Sequence, residues 1–279
     1  MSQPLYYAYW SDHNVNPKPH LHDQVEVYLS LEDKGDFFLQ ESRYPLKRGS
    51  LFLIHPFEIH HGFVDGHEST ARYAIRFPLS LLQFLSTPES DLTALFEAAP
   101  KHLLLTQSEL VKVCNYMDRL VNPPSGKQPF GADIALNLLL GQCILTLAQI
   151  VKKRGPAKQA APTKYDDLIK NMLQYIYDHY KEDITLDEFS NHMFVSKSRL
   201  CKIFKDQTGF TIGNYITMYR LQKACHLLQE GEKVKAVGKA VGFKTYTHFI
   251  RPFTSKLGVS PKKFVKEQPF TETEDIEQP

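Results

Sequence analysis

Cysteine is scarce in this chain, with four in 279 residues. Cys114, Cys143, Cys201 and Cys225 stand far apart in apolar surroundings, with no CxxC pair. They read as reduced, buried thiols, and neither a disulfide framework nor a zinc–cysteine site is expected. Net charge is scarce too: 33 Lys and Arg meet 31 Asp and Glu, leaving +2. That balance excludes a histone-like polycation and a disordered acidic chain, and 42% hydrophobic residues can support packing. Long apolar runs are missing. The richest window, Ile134 to Val151, is broken by Asn137, Gln142, Thr146 and Gln149, short of the roughly 18 uninterrupted apolar residues of a membrane span. The opening MSQPLYYAYW has neither a basic n-region nor an apolar h-region. No membrane partner and a cytoplasmic location are expected. A chain of 279 residues sets a prior of two domains, at roughly 100–200 residues each.

What the chain does have is a charge asymmetry. From Lys197 to Lys266, 15 Lys and Arg face three acids, Asp206, Glu230 and Glu232, so this stretch carries +12 and the remainder −10. Such a lobe is the footprint of a polyanion binder. A solvated basic face would give the same count, so the fold of the lobe must decide. Residues 152–164, KKRGPAKQAAPTK, contain Pro156 and Pro162 and no large apolar side chain, and read as a linker. Residues 122–131, NPPSGKQPFG, are a second soft segment, and residues 268–279 form an acidic tail expected to be disordered.

The basic lobe repeats itself. An offset of 49 residues pairs Ser196 with Thr245, Leu200 with Phe249, Phe204 with Phe253, Gly209 with Gly258 and Tyr215 with Phe264. Each copy reads as helix, tight turn, helix, over about 186–207 and 234–257. In the first, Thr185 and Glu188 form a capping box, and Leu186, Phe189 and Met193 make the apolar stripe. Ser196 then caps a helix from Lys197 to Gln207 that ends at Gly209, with Leu200, Ile203 and Phe204 inward. Lys197, Ser198, Arg199, Cys201 and Lys202 are left on or near the outer face. In the second copy Val234, Val237 and Val241 face inward and Gly238 allows a close helix contact. Thr245 caps a helix presenting Tyr246, Thr247, His248, Ile250 and Arg251. A long helix, Thr211 to Gln229, joins the copies. A helix-turn-helix inserts the first turns of its second helix into the DNA major groove. One hairpin could be purely structural; two within a lobe of +12 favour DNA reading.

The run from Thr185 to Phe264 resembles the DNA-binding domain of the AraC/XylS family of transcription regulators. The resemblance rests on Leu186, Ser196, Leu200, Phe204, Lys205, Gly209, Tyr215, Arg220, Ala224, Leu227 and Leu228, and continues through Val241-Gly242-Phe243, Phe249, Arg251, Phe253, Gly258, Ser260-Pro261 and Phe264. It implies that Ser198, Cys201 and Lys202 point at bases from the first recognition helix, and Tyr246, Thr247, Ile250 and Arg251 from the second. Two features depart from the family. Pro252 removes a backbone donor to His248 and is expected to kink the second recognition helix, and Thr254 and Ser255 replace a basic pair. The second reader is therefore expected to contribute less than the first.

The first 80 residues show strand signals at Gln24–Ser30, Asp36–Gln40, Ser50–Ile54 and Arg72–Phe77, punctuated by glycines. His20 and His22 fall on one strand face, Glu26 keeps their parity, and His60 follows Pro56. These four make a His₃–Glu set able to hold a divalent transition metal, or equally to shape and hydrogen-bond a ligand pocket. HLHDQVEVY, PLKRGSLFLIHP and His60 resemble the cupin barrel that serves AraC-family regulators as effector domain. Tyr28, Phe38, Arg43, Tyr73 and Arg76 complete the effector-pocket candidates, and aromatic walls with directed polar groups suit a small hydroxylated ligand such as a sugar. His55, His61 and His67 are expected in turns or solvent. Residues 81–151 read as a helical region in which Leu136, Leu139, Leu140, Cys143, Leu147 and Ile150 form one stripe and Leu138 and Leu145 lie opposite. Such a helix can pack inward and also meet a twin subunit; Leu147 is placed on the outward stripe.

The expected architecture is α+β: a cupin-like barrel over 1–80, a helical dimerisation region over 81–151, a linker over 152–164 and an all-α double helix-turn-helix domain over 165–267. The expected function is a regulator, not an enzyme and without a cofactor, whose operator binding responds to a small effector. Its expected partners are double-stranded operator DNA, the effector, a second copy of the chain and, if it activates, RNA polymerase. The alternatives are a metal-dependent cupin enzyme fused to a DNA-binding module, or a regulator whose sensor is vestigial.

Overall fold

A computed structural model of the protein describes residues 6–11, 20–63, 70–123, 129–154 and 167–267. It divides into two compact units. The first comprises Met1–Ile169 with Asp206–Gly209, the second Lys170–Lys205 and Phe210–Pro279.

The first unit carries two antiparallel sheets. Its strands are β1 (Tyr7–Ser11), β2 (Val25–Ser30), β3 (Asp36–Leu39), β4 (Ser42–Pro45), β5 (Ser50–Ile54), β6 (His60–Phe63), β7 (Arg72–Phe77) and β8 (His102–Leu104). Five of them order as β1-β7-β2-β5-β8 and three as β4-β3-β6. The four strands expected from sequence are present. The expected boundary at residue 80 needs correction, because β8 lies beyond it and pairs with β5 at the sheet edge.

Strand parity gives the larger sheet two different faces. Val25, Val27, Leu29, Leu51, Leu53, Tyr73, Ile75 and Phe77 share one apolar cluster with the helices. Tyr28, Phe52 and Ile54 look the other way and cluster with Phe37, Leu39 and Tyr44 of the smaller sheet. Both β2 and β5 are buried on both faces; β5 (SLFLI) accordingly reads as a nearly continuous apolar run, whereas β2 (VEVYLS) buries the polar Glu26 and Ser30 on one face.

The helices of this unit are α1 (Leu79–Leu85), α2 (Leu92–Glu97), α3 (Gln107–Val121) and α4 (Ala132–Arg154). A reciprocal capping box between Thr106 and Glu109 starts α3. The 23-residue α4 buries Leu139, Leu140, Cys143, Leu147 and Ile150 but leaves Ile134, Leu138 and Leu145 more than half exposed. Leu147 is therefore a core residue, and the outward stripe is Ile134–Leu138–Leu145. Helix α4 also runs to Arg154, three residues into the expected linker. Arg154 ties that end down through the Leu104 carbonyl and the Glu109 carboxylate. By length and hydropathy α4 could cross a membrane, yet half of its most apolar window is buried inside the structure. The rest of the expected linker and the acidic tail lie outside the described residues.

The second unit is all helical: α5 (Asp167–His179), α6 (Leu186–Met193), α7 (Lys197–Thr208), α8 (Ile212–Gln229), α9 (Val234–Ala240), α10 (Tyr246–Leu257) and α11 (Pro261–Glu267). The capping box at Thr185 and Glu188 is formed, as is the Thr245 cap of α10. Helix α8 is buried nearly all round, through Ile212, Tyr215, Met218, Leu221, Ala224, Cys225 and Leu228; α9, α10 and α11 pack on it, and the Phe204 ring of α7 meets its Tyr215. Gly238 does provide the close contact between α9 and α10: a Cβ there would lie 3.0 Å from the Phe249 ring. Pro252 does not end α10, which continues to Leu257 and stops at Gly258 in the left-handed region (φ 74°).

Candidate functional sites

Helices α7 and α10 each divide into a buried and an exposed side. Leu200 and Phe204 of α7 and Phe249 and Phe253 of α10 are fully buried. Ser196, Lys197, Ser198, Arg199 and Lys202 are exposed, with Cys201 half-buried; Thr245, Tyr246, Thr247, His248 and Arg251 are exposed, with Ile250 half-buried. All twelve sequence-derived contact residues therefore stand at or near the free side of a recognition helix. Lys197 also pairs with Asp187 at the start of α6, both side chains being largely exposed. One feature at this surface had no sequence signal. The turn between α6 and α7 holds Phe194 in left-handed backbone (φ 54°) with its side chain in solvent.

In the first unit, Glu26 lies on the face of β2 that looks toward the smaller sheet, directly across from Arg76 of β7. It is 2% exposed. Arg76 Nε donates to Glu26 Oε2 at 2.5 Å, and its Nη2 donates to His20 Nε2 at 3.1 Å. His22 Nε2 stands 2.8 Å from the same carboxylate oxygen and His60 Nε2 3.6 Å from it. His20 and His60 exchange backbone hydrogen bonds at 3.1–3.2 Å, which brings the segment before β2 against β6. The ligand atoms of His20, His22, Glu26 and His60 all lie within 4.8 Å of one another. Residues 20, 22, 26 and 60 thus meet, with Arg76 joining them, but His20 and His22 lie in the segment before β2 and not on a strand face as expected; the His20–His60 bridge brings that segment against β6.

The electrostatics of this cluster follow from its burial. Desolvation lowers His20, to about 3, so that its ring is neutral. Burial also lowers His22, with the Glu26 carboxylate opposing the shift. Desolvation acts to raise Glu26, but the hydrogen bond from His22 and the charge of Arg76 hold it well below the usual carboxylate range. His22 Nδ1 lies 2.9 Å from the Gln24 carbonyl. Either neutral tautomer of His22 therefore leaves one ring nitrogen facing an acceptor lone pair; only an imidazolium or a metal-bound imidazole satisfies both contacts. His60 Nδ1 donates to the Glu58 carbonyl at 2.8 Å, and its buried Nε2 has no hydrogen-bond partner. A backbone carbonyl holding Nδ1–H while Nε2 points at a carboxylate is the arrangement that prepares a histidine to ligate a metal. The donor set fits a divalent transition ion, although Arg76 already neutralises the carboxylate that such an ion would share.

Three other pocket candidates lie elsewhere. Tyr73 sits on the opposite face of β7, in the helix-side core, where its hydroxyl bonds the Asp118 carboxylate. Phe38 and Arg43 are register partners on the outer face of the smaller sheet; Arg43 pairs with Asp36 at 2.7 Å, and Phe38 lies against the His61 ring. Strand signals were present for Phe38 and Tyr73 but not for Arg43, and for none of the three did they tell which face the histidines line. Tyr28 does share the Glu26 face, packed against Phe37 and Phe52 at 4.5 and 5.9 Å. His61 is buried, not solvated. His55 is half-buried, with Nε2 at 2.9 Å from the Phe96 carbonyl. His67 lies outside the described residues.

Comparison with known proteins finds two family profiles. Residues 3–109 match an AraC-like ligand binding domain, and residues 189–267 match a helix-turn-helix domain. The HTH-type transcriptional activator RhaR of Escherichia coli (strain K12) is 24% identical over 246 residues, spanning 88% of this chain and 86% of that protein. RhaR of Shigella dysenteriae serotype 1 (strain Sd197) gives the same figures. Among solved structures, ToxT of Vibrio cholerae strain SCE256 with unsaturated fatty acid bound aligns over 95% of this chain and 97% of its own, at 13% identity and a TM-score of 0.40. The C-terminal domain of AraT, a response regulator from Geobacillus stearothermophilus, covers 41% of this chain and 96% of its own, at 25% identity and a TM-score of 0.39.

Proposed function

The chain belongs to the AraC/XylS family of ligand-modulated, DNA-binding transcription regulators, and from that premise we propose which residues bind DNA and which bind effector. The DNA contacts come from Ser196, Lys197, Ser198, Arg199, Cys201 and Lys202 of the first reader and from Thr245, Tyr246, Thr247, His248, Ile250 and Arg251 of the second. The observation that carries this reading is the repeated division of α7 and α10 into two fully buried apolar anchors and an exposed polar start. Selection of binding sites from random-sequence duplexes tests it. A shared motif should emerge and should lose definition in the Lys202→Ala protein; selection without enrichment rejects it.

The effector site is His20, His22, Glu26, His60 and Arg76, with Tyr28 in the adjoining wall. A cluster of directed donors and acceptors beside aromatic rings suits a small hydroxylated molecule of the sugar class. The site binds without turnover, and the protein works in the cytoplasm, where its operator is. Helix α4 forms the dimer contact. Activation, the role named for the RhaR relatives, would bring RNA polymerase as a further partner, and transcription from an operator-bearing template with purified polymerase tests this.

The orphaned Nε2 of His60 favours a second reading of the same site, in which His20, His22, Glu26 and His60 hold a divalent ion. Such an ion would polarise a bound hydroxyl or carboxylate oxygen. Calorimetric titration of chelator-treated protein with Zn²⁺ or Ni²⁺ tests it. One equivalent bound by the parent and none by His60→Ala supports an ion; no heat in either case leaves direct hydrogen bonding to the effector.

A further inference from the structure

Beside the second helix-turn-helix the second unit has a cavity of about 480 Å³, lined by Lys181, Asp183, Lys235, Lys239, Lys244 and Tyr246 among others. Four ammonium groups surround it and one carboxylate answers them, Asp183, which pairs with Lys244 at 2.6 Å. Among the described residues no carboxylate pairs with Lys181, Lys235 or Lys239. Cations gathered around one cavity give it a potential that attracts an anion.

The backbone positions that carry these cations are set by their elements, while the lysine side chains themselves are exposed. Lys235 and Lys239 are four residues apart on α9 and so stand one above the other on its exposed side. Lys181 comes from the turn after α5, and that turn is pinned. Arg220 donates from Nε to the Tyr180 carbonyl and from Nη2 to the Glu182 carbonyl, each at 2.6 Å. The backbone of Tyr180 and Lys181 lies so close to Gly242 (φ +94°) that a Cβ there would come within 2.7–2.8 Å of it. The cavity also opens onto Thr245 and Tyr246, the cap and first residue of α10.

The geometry points to a clamp for the phosphodiester backbone of DNA, made by Lys181, Lys235 and Lys239, one step outside the bases that α10 addresses. In a docked helix-turn-helix the first helix crosses the backbone while the second enters the groove, and α9 is that first helix. The inference rests on the DNA-binding reading and adds to it three residues that position without specifying. Lys181 lies outside the repeated segment, and Lys235 and Lys239, though within its second copy, lie on α9 and not on the exposed face of α10.

The experiment uses the full chain, a duplex recovered by site selection and a scrambled duplex of equal length. Affinity is measured across a salt series for the parent, Lys181→Gln, Lys235→Gln, Lys239→Gln and the triple variant. Each lost phosphate contact reduces the slope of log affinity against log salt by about 0.9. Each single variant should therefore flatten the slope by about that amount and the triple variant by roughly three times as much, with the preference for selected over scrambled duplex unchanged. Parent protein that fails to prefer its selected duplex would sink the DNA-binding reading itself. Normal parent binding with unaltered slopes in all variants would overturn the clamp alone. A changed sequence preference at constant slope would also overturn it, by making these lysines base readers. So would inorganic phosphate that binds the parent but not the triple variant while the DNA slopes stay equal; the cavity would then be a small-anion site.

Discussion

Glu26 is the residue on which most of the proposed effector site turns, and its partners differ in how easily they could do without it. Arg76 is 22% exposed at its side chain, whereas Glu26 is 2% exposed. Losing the arginine strands a carboxylate with no route to water, while losing the carboxylate leaves a guanidinium that can reach solvent. Breaking a buried pair costs about 3–5 kcal/mol, so Arg76→Met should fall in that range and Glu26→Gln clearly below it. Urea unfolding followed by tryptophan fluorescence measures this cleanly, because the sole tryptophan, Trp10, lies in β1 of the same unit. Equal costs for the two variants would contradict the asymmetry. The histidines add a pH dependence. His20 is lowered from 6.5 to about 3, so the unfolded chain takes up its proton first. Its contribution is complete above pH 6.5 and drains away as pH falls toward 3. His20→Asn should flatten the stability profile in that window; a profile unchanged by the substitution would mean the ring is not held neutral by burial. In the second unit, losing a good base contact costs about 1–3 kcal/mol. Lys202→Ala should lose more operator affinity than Arg251→Ala, since Pro252 takes a backbone hydrogen bond from the helix around Arg251. Operator titrations with the reverse order would refute that ranking.

Elements were legible where their signals are local. The Thr185–Glu188 box, the Thr245 cap and the Gly209 and Gly258 stops are short-range patterns, and all are formed. The faces of α7 and α10 were legible because two copies of one pattern constrain each other. Strands β4 and β6 carried no such mark. SRYP and HHGF hold too few β-branched residues to stand out, and they become strands because β3 offers a partner on each side. Strand β8 was invisible for a different reason: its three residues pair with β5, about fifty positions earlier in the chain, and no local pattern reports such a contact. Helix α4 shows the limit of periodicity most clearly. Its two apolar stripes were visible, but which one faces the core depends on packing partners, and Leu147 proves to be inside. The outward stripe gives the dimer prediction. Leu138 and Leu145 are 66% and 51% exposed, one helical face apart by seven residues. A charge at Leu138 would cost little in a monomer but would be buried unpaired in a dimer. Leu138→Asp should therefore sediment as a folded monomer where the parent sediments as a dimer at micromolar concentration. A parent that is monomeric with and without DNA would end the claim.

At the scale of the whole molecule, the charge is concentrated in the DNA-binding half: residues 197–266 carry +12, residues 165–196 and 267–279 carry −5 each, and residues 1–164 carry no net charge. A ligand bound in the first unit can alter DNA affinity only by binding the DNA-competent and incompetent states unequally. The normal size of such a coupling is about 1–3 kcal/mol, or roughly 5–150-fold in affinity. Because the buried cluster around Glu26 draws on the segment before β2, on β2 itself, on β6 and on β7, a molecule that reorganises it moves strands of both sheets together. An effector bound at the proposed site would thus have a lever larger than one side chain. His22 is the residue to test, since it is the one whose two ring nitrogens cannot both be satisfied in a neutral ring. His22→Ala removes that mismatch and one effector contact while leaving the Arg76–Glu26 pair in place. Operator affinity without effector should match the parent, and the 5–150-fold response should collapse toward unity. Calorimetry separates the two ways this could come about. Effector binding lost along with the response places the site at the histidine cluster. Effector that binds the variant with parental affinity, and still shifts operator binding, would place both pocket and lever elsewhere in the unit and leave the histidines as part of the frame.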